Sequence, residues 1–484
     1  MLREALEATL AFIRQKRWDE AFSALHRLLD NDPENAQTLQ LLAQCHHEVG
    51  NEGVAYQLYL AALHNKPDFF EAWGNLGKYF RRRGDNAGME KCFAECERIR
   101  PGDLQMAFNR TEMYLNNGTP EAAEKECRLY LDKHGENSGV MVHLGFALLE
   151  QEKFGAGFDA MDAAMDNGGR KHRNFQTLGQ TAVWDGTPGK SVAVYGEQGI
   201  GDEIMFASCL PDALRKCKRV YLDTNKAHLA PILQRSFPDV IVHYSPTIEV
   251  QPWHDEAQID AMIAIGSLPR LFRRTLEDFT RTVPYLKADP ARRSEIRDRL
   301  DALGPRKKIG IAWKGGTKET MGVYRMIPLE QWAPILQQTA EFVSLQYTPD
   351  AKGEADMASE MLGVNIRHWQ ATIDDLESLT ALIAELDLVI SVPQTAVHQA
   401  GALGVPCWTL TAARPPWPFG TLRDDMVWYP GAVRQFRQKQ HGDWGETLFR
   451  VAEALAEVIG EPRPTSIVIP TQQDVMRFMS SKAS

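Results

Sequence analysis

Through the first third of the chain, apolar and polar residues alternate at helical spacing. The helix-like runs are broken by Pro33, Pro67 and Pro101, which fall 34 residues apart. Proline cannot continue a helix, so each of the three ends one unit before the next begins. In residues 70–103 the large positions are Trp73, Leu76, Phe80 and Phe93, the small ones are Gly77 and Gly84, and Pro101 closes the unit. The unit before it reads Leu39, Leu42, Ala43, Gly50, Ala55, Tyr59, Ala62 and Pro67. Residues 2–35 keep the frame with Phe12, Ala21 and Pro33. Weaker units start near 104 (Tyr114, Gly118, Ala123) and near 138 (Leu144, Gly145, Phe154, Ala164). This pattern predicts five helical hairpins of tetratricopeptide-repeat type, with small residues letting paired helices approach and aromatic ones filling between hairpins.

Between Asn167 and Pro188 the periodicity gives way to Gly, Asn and Pro, and short β-branched runs then alternate with helical stretches. Strands are expected at 191–196, 219–224, 240–244 and 260–267, with a helix over 203–216. After an Arg-rich helical stretch ending at 304–308 the series restarts, with strands at 308–313, 341–347, 365–369, 387–392 and 406–411. Two consecutive βαβ series predict two α/β halves of doubly wound type. The expected division is a repeat domain over 1–171, a linker over 172–190, and α/β halves over 191–303 and 304–484.

Composition narrows the function. Fifty-four Lys and Arg against 64 Asp and Glu leave a net charge of −10, and residues 1–170 alone hold 19 basic and 27 acidic residues, which argues against nucleic acid as a partner. Seven cysteines without paired spacing fit reduced thiols. Cys92 and Cys96 lie one helical turn apart with no further ligands nearby, so they read as packing residues and no metal site is expected. The N-terminal stretch is interrupted by Glu4 and Glu7, and no window reaches 18 uncharged apolar residues. The expectation is a cytoplasmic protein with no membrane span.

Open parallel sheets bind ligands beyond the C-terminal ends of their strands, which directs attention to the turns there. The first runs Gly196-Glu197-Gln198-Gly199-Ile200-Gly201-Asp202-Glu203, exposing amides at the start of a helix. Its GxxGxG spacing and acidic pair depart from the dinucleotide fingerprint. In the second half, Lys314 leaves a strand beside Gly315 and Gly316, which suits a phosphate oxygen. The turn Pro393-Gln394-Thr395-Ala396-Val397-His398 feeds a helix whose first amides and Thr395 hydroxyl suit a diphosphate.

These turns lie within GEQGIGDEIMFASCL (196–210), IGIAWKGG (309–316), RMIPLEQW (325–332), SLQY (344–347), TIDDLESLTALIAELDLVISV (372–392), TAVHQAGALGVPCW (395–408), WYPGAVRQFRQ (428–438) and GDW (442–444). With them, the last two thirds of the chain resembles the bacterial glycosyltransferases related to ADP-heptose:lipopolysaccharide heptosyltransferases. The repeat fusion resembles bacterial protein glycosyltransferases, including some that modify flagellin.

The resemblance implies an α/β GT-B fold of two Rossmann-like domains, acceptor side first and nucleotide-sugar side second. It also implies inverting, metal-independent transfer without a cofactor from a nucleotide sugar to Ser or Thr hydroxyls of a protein, flagellin among the candidates. Asp202 matches the family's catalytic base. Gln198, Gly199, Gly201, Lys314, Arg325, Gln346, Thr395 and His398 fall at the donor site. Where such members often carry an acidic residue this chain has Pro393 and Gln394, which argues against heptose as the donor while leaving nucleotide-sugar binding in place. A lipid or saccharide acceptor, or a repeat scaffold without activity, are the alternatives.

Overall fold

The structure is a computed structural model that describes residues 2–83, 85–116, 118–166, 182–246, 253, 258–280, 284–316, 325–440, 442–462, 470 and 472–482. It divides into two compact units, Met1–Leu148 and Leu149–Ser484.

The first unit is built of helical hairpins: α1 (Leu2–Arg14) with α2 (Trp18–Asn31), α3 (Ala36–Glu48) with α4 (Glu52–Asn65), α5 (Phe70–Arg82) with α6 (Asn86–Ile99), and α7 (Leu104–Asn116) with α8 (Pro120–His134). The prolines act as their spacing predicts. Asp32, Lys66 and Arg100, each the residue before one of them, share nearly one backbone conformation (φ/ψ −145/84°, −142/86° and −135/82°). A following proline disfavours helical geometry at such a residue, so α2, α4 and α6 all stop at the same phase. Phe93 lies over Gly77, where a Cβ would come within 2.3 Å of its ring. Cys92 and Cys96 are buried in the same core, and burial pushes both thiols up to about 12.

The fifth hairpin falls differently from the expected domain boundary at 171. The division between compact units lies inside α9 (Ser138–Glu150), and α10 (Phe154–Asp166) belongs with the sheets. The physical reason is that α10 is covered by α/β residues. Phe154 packs on Phe279 at 4.8 Å, Phe158 lies against Trp417 and Trp428, and Asp159 receives two hydrogen bonds from Arg274 at 2.6 and 2.9 Å. Much of the expected linker, 172–181, lies outside the described residues.

The second unit holds two wholly parallel sheets. One has the order β1-β5-β2-β3-β4, from β1 (Ala182–Val183), β2 (Ser191–Tyr195), β3 (Arg219–Thr224), β4 (Val240–Tyr244) and β5 (Ala261–Ala264). The other has the order β11-β10-β9-β6-β7-β8, from β6 (Lys308–Ala312), β7 (Glu341–Ser344), β8 (Ile366–Arg367), β9 (Leu388–Ser391), β10 (Cys407–Thr411) and β11 (Val433–Arg437). Numbered within its own half, the second sheet runs 6-5-4-1-2-3, the doubly wound order, with its direction of winding reversing between β6 and β9. β2, β6, β9 and β10 are buried along their whole length, as strands covered on both faces must be.

Three local readings change. The helix expected over 203–216 is two, α11 (Ile200–Ala207) and α12 (Leu210–Lys216), because Pro211 cannot donate within a continuous helix and sits instead in the first turn of the second. The strand expected over 260–267 ends at Ala264, where Gly266 N–H turns to donate to Glu197 Oε1 at 3.1 Å. The short β1 and the polar β11 are additional strands.

Helix Pro290–Asp301 joins the halves. It starts on an Asp289 cap and uses its arginines across the joint: Arg292 reaches Asp375 and Ser378, while Arg293 and Arg297 both donate to Glu385. On α13 (Ala230–Ser236), Arg235 adds a two-pronged contact with Glu377, at 2.6 and 3.2 Å. Single exposed pairs contribute little, roughly 0–1 kcal/mol each, so their joint effect is to fix orientation.

Replacing Gly77 by Val should overpack the Phe93 contact and destabilise the first unit by about 1–3 kcal/mol. Amide exchange across α5 and α6 should rise roughly 10-fold or more while the sheets keep their protection. Unchanged exchange over residues 70–99 would show that this contact does not limit the repeat's stability.

Candidate functional site

At the end of β2 the chain makes a tight polar turn. Gly196 N–H donates to Asp223 O at 2.7 Å, Gln198 takes a left-handed conformation at φ +64°, and Gly199 leads into α11. Asp202 Oδ2 accepts Gly199 N–H at 3.0 Å, so a carboxylate stabilises the start of the helix where the dipole is positive. Its neighbour Glu203 turns inward. It is fully buried, accepts from Thr224 Oγ1 at 2.6 Å and pairs with Lys226 at 3.2 Å. The acidic pair thus divides into a buried structural carboxylate and a partly exposed one, Asp202.

The second sheet presents two turns at its reversal point. After β6, the amides of Trp313 and Lys314 donate to Gln346 Oε1 at 3.0 and 2.9 Å, and Gln346 Nε2 returns a bond to Lys314 O at 3.1 Å. Gln346, expected to meet a donor, is fully buried and instead clasps the lysine turn. Lys314 Nζ pairs with Asp350 at 2.8 Å and with Glu354, whose other oxygen accepts Trp313 Nε1. The segment after 324 returns antiparallel to this turn, with Gly315 N–H donating to Arg325 O and Ile327 N–H to Trp313 O. That pairing places Arg325 beside it.

After β9, Gln394 is buried with its amide toward Ser391, and Thr395 opens helix Thr395–Leu403 half exposed. His398, one turn into that helix, is buried, with Nδ1 3.0 Å from Tyr429 Oη.

The two sheets meet through these turns. A Cβ on Gly201 would lie 2.8 Å from His398 Cδ2, and one on Gly315 would lie 2.4 Å from Pro393 O, so both positions require glycine for backbone approach. Asp202 acts electrostatically on His398 and on Arg325, joining all three in one field. Burial lowers the basicity of Arg325, and it drives the His398 ring down to about 4 against the opposing pull of Asp202. His398 is therefore neutral near pH 7. Phe419, whose ring is 6.0 Å from His398, also lines a small surface depression together with Phe154, Phe158, Trp417 and Trp428.

Asp202, Gly201, His398 and Arg325 therefore come together, with Gln198 and Gly199 on the same exposed turn. Lys314 and Thr395 lie on the adjoining pair of turns. Such a cluster can take a proton at Asp202 and hold an anion at Arg325 and the Thr395 helix start. Three residues emerge only from the structure: Tyr429 and Tyr285 behind His398, and Asp350 beneath Lys314. Tyr429 lies within the 428–438 stretch, whereas Tyr285 sits in a connecting segment with no periodic signal.

Comparison with known proteins agrees with this architecture in its first part. A tetratricopeptide-repeat family model matches residues 12–78. The repeat helices are similar in solved structures to the Pseudomonas aeruginosa pilF protein (16% identity, TM-score 0.33, covering 36% of this chain and 78% of that one). They are also similar to a thermophilic tetratricopeptide-repeat protein of Thermus thermophilus (15%, TM-score 0.31, covering 35% and 93%). Along almost its whole length the chain is 32% identical to Protein FlbA of Caulobacter vibrioides, over 450 residues that cover 88% of this chain and 73% of FlbA. It is a member of the FlbA family.

The Lys314 pair makes a pH prediction. The Lys314 ammonium beside it holds the Asp350 carboxyl down to about 2. A depressed carboxyl contributes stability that is whole above its unfolded value of about 4 and is lost as pH falls through the folded value. Lys314→Met should raise the Asp350 titration toward the ordinary carboxylate range, read by carbon-13 carboxyl shifts. An unmoved titration would mean the pair is not formed in solution.

Proposed function

We propose that the chain is an inverting, metal-independent glycosyltransferase of GT-B type, moving a sugar from a nucleotide donor to Ser or Thr hydroxyls of a protein held by the repeats, with a flagellin as the acceptor to test first. Residues 191–303 form the acceptor side and 304–484 the nucleotide-sugar side. The observation that carries this reading is the meeting of Asp202, on one parallel sheet's ligand end, with His398 and Arg325 on the other's.

In this reading Asp202 takes the proton of the acceptor hydroxyl, whose oxygen attacks the anomeric carbon from the face opposite the leaving group. The bond from that carbon to the diphosphate oxygen breaks, and its electron pair leaves with the nucleoside diphosphate. Arg325 and the first amides of helix Thr395–Leu403 stabilise the charge that develops there. Lys314 contributes once its ammonium exchanges a carboxylate partner for phosphate, and Gln346 acts by holding the Lys314 backbone in place. Gln198, Gly199 and Gly201 shape the rim on which donor and acceptor meet.

One observation favours a second reading, an interaction scaffold without transfer: Lys314 is already paired with both Asp350 and Glu354. Intact-mass analysis of a flagellin co-expressed with the full chain separates the two. Transfer gives a hydroxyl-linked sugar increment, and a scaffold gives none.

Asp202→Asn should reduce transfer by roughly 100-fold or more, the scale of losing a general base, and leave nucleotide binding nearly unchanged. Wild-type turnover in that variant would remove Asp202 from the chemistry. Excess chelator should leave the rate intact, since the charge is met by Arg325 and backbone amides. A strict requirement for added magnesium or manganese would contradict this arrangement.

A further inference from the structure

The turn between the two helices of each repeat hairpin has one recurring position, every 34 residues: Lys16, Gly50, Gly84, Gly118 and Glu152. Gly84 lies outside the described residues. Lys16, Gly50, Gly118 and Glu152 all have a positive φ, at +58°, +86°, +69° and +56°. Each also donates its N–H to the carbonyl three residues back, at 3.0–3.2 Å. Glycine adopts this conformation freely, and a residue with a Cβ resists it. A Cβ on Gly50 would meet nothing within 4 Å, so glycine stands there for its backbone and not for want of space. Lys16, at the start of the array, is exposed, whereas Glu152, at its end, is half-buried. Glu152 therefore keeps the repeat's turn at a steric cost, and what it adds over glycine is its side chain.

That side chain grips the α/β unit. The Glu152 carboxylate accepts from Arg423 Nε at 2.6 Å and Nη2 at 3.0 Å, the two-pronged geometry that fixes orientation as well as distance. Arg423 belongs to the segment between β10 and β11, which borders the candidate site. The Phe419 ring of that segment lies 6.0 Å from His398. Its Trp417 and Trp428 rings lie 6.4 and 5.7 Å from Phe206 on α11, the helix that carries Asp202. β11 holds the segment by its carbonyls, with Gln435 donating to Phe419 O at 2.6 Å and Arg437 to Thr421 O and Arg423 O at 2.9 and 2.8 Å. The segment's side chains are held by α10 and the turn before it, through Phe158 on Trp417 and Trp428 and Glu152 on Arg423. α10 is itself anchored on the first sheet's half: Gly155 N–H donates to Arg274 O at 3.0 Å, Asp159 accepts from Arg274, and Asp162 pairs with Arg270 at 3.0 Å.

We propose that Glu152 is a positioning residue: through Arg423 it holds the 417–428 segment against His398 and α11, so that the turn of the last repeat hairpin serves as a clamp on the candidate site. The clamp rests on these contacts, and only the sugar transfer it would serve rests on the glycosyltransferase reading. The repeat itself supplies the informative substitution. The glycine that stands at 50, 84 and 118 would, at 152, relax the backbone and release Arg423 together, which separates the geometry of the turn from its grip.

The test uses the full chain without ligand, so its outcome does not depend on any transfer activity. Glu152→Gly should fold, because glycine favours the backbone found there. Amide exchange over residues 417–428 should rise roughly 10-fold, while the buried strands β6, β9 and β10 keep their wild-type rates. The His398 ring protons, identified by their loss in His398→Gln, should move in Glu152→Gly in the direction set by Phe419→Leu, which removes the neighbouring ring and its magnetic field. A turn with only a local structural role would move neither signal. Arg423→Gln should reproduce both changes, and the double variant should add little to them, as for two residues acting through one contact. Unchanged exchange over 417–428, unmoved His398 signals, additive effects in the double variant, or a rise in exchange spread equally over the sheets would each overturn the proposal.

Discussion

The contact on which the α/β unit depends is the approach of the Gly201 backbone to the His398 ring. It brings a helix that begins beside an acidic turn on one sheet against a helix that begins at the reversal point of the other. Asp202 stands one residue beyond Gly201, Arg325 lies in the same field, and Tyr429 holds the ring by a hydrogen bond. A methyl group at position 201 would collide with the ring at 2.8 Å, so the chemistry and the packing constrain the same atom.

Around that contact the architecture separates rigid support from the turns at the strand ends. The buried strands β6, β9 and β10 and core residues such as Trp332 and Phe342 position the turns without taking part in them, and Trp313 ties that core to the Lys314 turn. Glu203, Thr224 and Lys226 do the same beneath the first turn. The arginines of helix Pro290–Asp301 fix the two halves through carboxylates, and the Arg235–Glu377 contact repeats the device on another helix. The repeat unit has a different logic, one helical geometry restarted at each proline, with a core of its own around Tyr59, Leu76 and Phe93.

Much of this is legible in the sequence because it follows from local rules. Pro33, Pro67 and Pro101 impose one conformation on the residue before them, and the apolar runs at 191, 308 and 387 have no stable place except inside a parallel sheet. The turns carrying Asp202, Lys314 and His398 could be selected because strand ends are where such sheets bind ligands. What could not be read depends on three-dimensional pairing. Gln346 looks like a ligand group in sequence, yet its amide matches the backbone of a turn 32 residues upstream. Lys314 looks free until Asp350 and Glu354 are placed beside it. Tyr285 carries no local signal, since its role comes from reaching Ile204, 81 positions back in the chain. α10 has the repeat's periodicity but is covered by aromatic residues more than a hundred positions away, which pattern alone does not reveal.

The central claim, that the two strand-end clusters make one nucleotide-sugar site, is tested most directly by crystallising the full chain with each of a panel of uridine, guanosine, cytidine and adenosine nucleotide sugars. The account predicts that a bound donor places its phosphate groups at Arg325 and the first amides of helix Thr395–Leu403. Its sugar should lie between Asp202 and His398. A donor bound away from both side chains, or no binding by any of the panel, would contradict it.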